Sequence, residues 1–89
     1  MRIRKLLWDK DRLAHITKHG VEKEEVEEAC WGPYLILRGK GDKYQLLGQT
    51  LSGRYLFVVL AHKGGGNFKV VTARDMSQSE RRRFRKRKR

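Results

Sequence analysis

Between residues 34 and 74 the chain alternates four β-prone stretches, 34–38, 43–50, 54–62 and 68–74, with the segments G-K-G-D, L-S-G and K-G-G-G-N. Glycine-bearing loops of this length close hairpins and are too short for a crossover, so the four strands form an antiparallel meander. Residues 55–61, Y-L-F-V-V-L-A, are apolar without alternation. Such a run belongs to a strand covered on both faces, which makes it the centre of the sheet.

What precedes the meander reads as one strand and two helices. Residues 3–8 are a short apolar stretch that fits a strand. Asp9 or Asp11 can cap the helix after it, where exposed N–H groups favour an anion. Leu13 and Ile16 give this helix its apolar stripe, and Gly20 ends it in the left-handed conformation. A second helix spans about 22–30, with Val26, Ala29 and Cys30 inward and Glu22, Glu24, Glu25, Glu27 and Glu28 outward. Gly32-Pro33 stops it. The expected order is β-α-α-β-β-β-β-α, an α+β fold with the helical pair on one face of the sheet. Residues 1–80 form a single domain whose C-terminal helix starts near 77, and 81–89 form a highly basic tail.

Charge and cysteine content bound the function. The 89 residues carry 22 Lys and Arg against 10 Asp and Glu, a net charge of +12. Eight of the cations lie in 81–89, which leaves +4 on residues 1–80. This balance points to a polyanionic partner such as a nucleic acid, without saying which. A single cysteine, Cys30, excludes an internal disulfide and fits a reducing, cytoplasmic setting. No apolar stretch approaches a membrane span, and the N-terminus lacks the apolar core of a secretory signal.

Residues 67–80, N-F-K-V-V-T-A-R-D-M-S-Q-S-E, hold the first candidate site. Thr72 and Arg74 are two apart on a strand and share a face. Ser77 and Glu80 then have capping-box spacing. Arg74 admits two readings, a cation held rigidly for a ligand or one that pairs with a carboxylate at the sheet edge. His15, Lys18 and His19 share a helix face at i, i+3 and i+4. Asp11 extends the row, but H-I-T-K-H has no acid between its histidines, and no metal site is expected. Proton transfer or phosphate binding suits the imidazoles better.

Taken in order, H-I-T-K-H-G-V at 15–21, E-E-V-E-E-A at 24–29, L-L-G-Q-T at 46–50, G-R-Y-L-F-V-V-L at 53–60 and V-T-A-R-D-M-S-Q-S-E-R at 71–81 resemble the BrnT family. These are the toxin halves of bacterial type II toxin–antitoxin pairs, and the resemblance runs from about residue 7 to 84. It implies a RelE-like fold and endoribonuclease action on cellular RNA with no metal or other cofactor. It also implies a cognate antitoxin encoded adjacently, with any homo-oligomer forming through that antitoxin.

Carried over by matched position, Arg74 would stabilise the transition state, Thr72 would bond the phosphate, and His19, or else His15, would be the base or acid. Lys69 stands where the family has an arginine, so it keeps the charge without the fork. Lys18, Lys43, Arg54, Arg81, Arg82 and Arg83 would contact RNA phosphates. Strict alternation sets Lys69 and Arg74 on opposite faces, and only a bulge would bring both to one phosphate. Phe84 replaces an expected tyrosine, and the terminal basic run is longer than the family suggests. The alternative is a non-catalytic RNA- or ribosome-binding module, its aromatics (Tyr34, Tyr44, Tyr55, Phe68, Phe84) stacking on unpaired bases.

Overall fold

A computed structural model describes residues 2–87. The elements are β1 (Lys5–Leu7), α1 (Lys10–Lys18), α2 (Lys23–Trp31), β2 (Tyr34–Arg38), β3 (Lys43–Gln49), β4 (Tyr55–His62), β5 (Asn67–Asp75) and α3 (Gln78–Lys86). The order is the expected β-α-α-β-β-β-β-α, and the fold is α+β. Strands β2 to β5 form the meander, β4 lies at its centre, and β1 adds to the far edge in the sheet order β1-β5-β4-β3-β2. The pairing of β1 with β5 is parallel and joins only Lys5, Leu6 and Leu7 to Asn67, Phe68 and Lys69.

Local chemistry sets the helix ends. Asp9 caps α1 by accepting from the Arg12 N–H (2.8 Å), and Gly20 closes the turn after it at φ +76°. Helices α1 and α2 cover one face of the sheet. Ile16, Val26, Ala29 and Cys30 there join Leu46, Leu56, Val58, Leu60, Phe68, Val70 and Ala73 in the main core. On the other face α3 buries Phe84 against Leu47, Phe57 and Met76. The capping box that starts α3 and the Phe84 anchor carry the helix through Lys86. Most of the basic segment expected as a tail is therefore helix, and residues 88 and 89 lie outside those described.

Contact between α2 and the sheet depends on a missing side chain. A Cβ at Gly48 would stand 2.7 Å from the Ala29 carbonyl oxygen and 3.1 Å from its methyl. Gly48→Ala should lift α2 from β3 and cost about 1–3 kcal/mol, as overpacking does. Thermal melting of the variant checks this, and an unchanged midpoint would mean that α2 yields freely.

The feature that shapes the site is a bulge in β5. Val59 lies opposite Thr72 and Leu60 opposite Val70, so Val71 faces no residue of β4. Lys69, Thr72 and Arg74 lie opposite Ala61, Val59 and Phe57, alternate residues of one strand. All three therefore project from the same face. The expectation that Lys69 points away from Arg74 is corrected here, because the extra residue restores the phase that alternation would have broken.

Candidate active site

Strand β1 ends opposite Lys69, and α1 packs beside the part of β5 that runs on past it. With Ile16 buried beneath the helix, the neighbouring His15 is set at the open strand edge. Its Nε2 lies 3.0 Å from Thr72 Oγ1. His19, at the C-cap of α1, meets the His15 ring edge-on with centroids 4.8 Å apart. Both imidazoles are exposed to solvent. His15, not His19, is thus the histidine bonded to the strand. Spacing could not separate them, since both lie on one helix face.

Arg74 is held from three directions. Its guanidinium lies over the Phe57 ring, 3.9 Å from the centroid. Nη1 and Nη2 donate to the two oxygens of Glu80 (2.9 and 3.0 Å), and Nη1 also donates to the Asp75 carbonyl (2.9 Å). The carboxylate reading of Arg74 is therefore met. Yet these bonds use three of the five donor hydrogens. The other two, on Nε and Nη2, lie along one edge of the planar group and match two oxygens of a phosphate. Glu80 also accepts from the Ser77 N–H (2.8 Å). The Arg74 guanidinium, with help from Ser77, holds the Glu80 carboxyl below its ordinary range, which keeps the clamp ionised. The sequence offered Glu80 only as a helix cap. Its bond to Arg74 depends on the turn between β5 and α3.

The other expected residues divide into two groups. Lys69 is on the Arg74 face and pairs with Asp9 (2.9 Å). Lys43 lies in the same cross-strand row, through Ala61, and pairs with Asp42 (3.0 Å). Lys18 ends α1 beside His19, exposed. Arg82 and Arg83 are exposed on α3, while Arg81 lies 4.5 Å over the Tyr55 ring with Arg85 at 5.8 Å. Arg54 is engaged elsewhere. It bridges Asp75 (2.7 Å), Glu25 (2.9 Å) and the Gly20 carbonyl (2.8 Å), and so ties the α1–α2 turn to the end of β5. Those bonds make it a clamp between the two segments.

Among the described residues no three His, Cys, Asp or Glu side chains gather as a metal site. Burial pushes the Cys30 thiol up to about 12, so this cysteine is inert core. The result is an open sheet face with lysines at one end and Arg74 and the α3 arginines at the other. The Thr72–His15 pair stands at its edge.

A family model described as the ribonuclease toxin BrnT of type II toxin–antitoxin systems matches residues 8–80. In fold, the chain is similar to the ribonuclease toxin BrnT of Brucella abortus, known from a 1.1 Å crystal structure. The TM-score is 0.67 at 23% identity, over 83% of this chain and 97% of that one. No curated protein matches significantly in sequence.

Proposed function

Since this chain belongs to the BrnT family of ribonuclease toxins, we propose that it cuts cellular RNA internally, without a metal, on the Arg74 face of its sheet. The observation that carries this reading is the approach of an imidazole to the same strand end as a clamped guanidinium with a free paired-donor edge. Thr72 and Arg74 are two residues apart, roughly 6–7 Å along the strand, the scale of one nucleotide's sugar and phosphate.

The chemistry follows from those placements. His15, oriented by Thr72, takes the proton of the ribose 2′-hydroxyl. The 2′-oxygen bonds to phosphorus while the bond to the 5′-oxygen breaks, and His19 in its protonated form supplies the proton for that leaving oxygen. Arg74 binds the two non-bridging oxygens as charge builds on them. The products are a 2′,3′-cyclic phosphate and a 5′-hydroxyl. Lys69, Lys43, Lys18, Arg81, Arg82 and Arg83 hold flanking phosphates by charge. Thr72 positions His15 and need not touch the phosphate.

Toxin–antitoxin membership brings an antitoxin partner. We place its gene beside the toxin's and the activity in the cytoplasm. No helix among the described residues is long and apolar enough to cross a membrane. The aromatic platform of a non-catalytic module has little support, because Tyr44, Phe68 and Phe84 are buried and Arg81 covers Tyr55.

The test is an RNA oligonucleotide carrying one 2′-deoxy sugar at the cut site. That linkage should resist the purified protein entirely, while the all-ribose strand yields a cyclic phosphate with or without chelator. Cleavage at the deoxy position would exclude this mechanism.

A further inference from the structure

Trp31 and Leu51 are the exposed large apolar side chains among the described residues, 54% and 89% accessible. They line one groove with Glu24, Glu27 and Glu28, between the last turn of α2 and the β3–β4 turn. The concavity continues past Gly32 and Pro33 to Arg87. Leu51 is held outward by the turn itself. Its N–H donates to Glu28 Oε1 (3.0 Å), and the buried Thr50 hydroxyl accepts from the Arg54 N–H (3.0 Å). A tryptophan and a leucine fixed in water side by side have the character of an interface anchor.

The surrounding charge narrows the partner. In a chain of 22 cations, Glu24, Glu27 and Glu28 form no ion pair among the described residues. Helix α2 lies on the opposite side of the sheet from Arg74. An acidic, apolar groove repels RNA and complements a basic amphipathic polypeptide. We infer that this groove docks the antitoxin through a segment with one apolar side chain between Trp31 and Leu51 and Lys or Arg over Glu24 and Glu27. Arg87 at the far end sets the direction, because cations avoid it. The inference rests on the toxin–antitoxin reading, and it separates docking from the catalytic face.

The test titrates the purified full-length toxin with the antitoxin encoded beside it, using two variants. One is Trp31→Ala with Leu51→Ser, and the other is Glu24→Lys with Glu27→Lys. Each should bind about tenfold more weakly or worse, and the charge variant should lose much of the parent's salt dependence. Both should cleave RNA at the parental rate and escape neutralisation in a growth assay. Should the apolar variant fail to fold, the charge variant decides alone. Parental affinity in the charge variant, or in both, would overturn the inference and move docking to another face. Binding is read directly, so a chain that cuts no RNA would sink the proposed chemistry and leave this result standing.

Discussion

Arg74→Ala should cut RNA cleavage by about 10²–10³-fold, the usual cost of removing a preorganised donor from a transition state. Growth arrest on induced expression should disappear with it. The fold should survive. Arg74 and Glu80 are both partly exposed, and such pairs contribute about 1 kcal/mol or less. Glu80 retains its bond to the Ser77 N–H, so α3 stays capped. Arg74→Lys should recover only part of the rate, because a point charge cannot hold Glu80 and present a second paired edge. Single-turnover cleavage beside thermal melting separates the effects. Parental cleavage by the alanine variant would reduce Arg74 to a surface ion pair.

Phe84→Ala should be the most destabilising of the substitutions considered, at about 3–5 kcal/mol. The cluster under α3 has only Leu47, Phe57, Met76 and Phe84 as buried members, and Tyr55 meets the Phe84 ring edge-on. Leu35, Tyr55 and Val59 only border the cluster, so the gap left by the ring would be filled at best in part. The melting midpoint should fall by about 12–40 °C for a domain of this size. Cleavage should suffer too, since Phe57, the platform beneath Arg74, loses its cover. A fall below about 5 °C would mean that α3 adds little to the cooperative unit.

Much of this architecture was legible in the residues. The glycine-bearing loops dictated the meander, and the unbroken run at 55–61 marked the central strand, now β4. Val26, Ala29 and Cys30 are buried at the spacing that pointed to them. The Ser77–Glu80 box starts α3. What escaped reading depends on contacts between distant segments. The bulge at Val71 follows no local rule in V-V-T-A. The partner of Arg74 is settled by the two-residue turn of Met76 and Ser77, and the histidine that reaches Thr72 by the depth at which Ile16 anchors α1. Arg54 read as a free cation because nothing in the chain brings Glu25 and Asp75 together until it folds.

The parallel pairing of the first strand with the last has a consequence in time. Lys5 to Leu7 find their partners only at Asn67 to Lys69, and His15 meets its bonding partner only at Thr72. A chain emerging from the ribosome therefore has neither its sheet edge nor its histidine contact until β5 has been made. On the chemistry proposed above, a chain that has not yet reached Thr72 lacks the contact that orients its base and should cut no RNA.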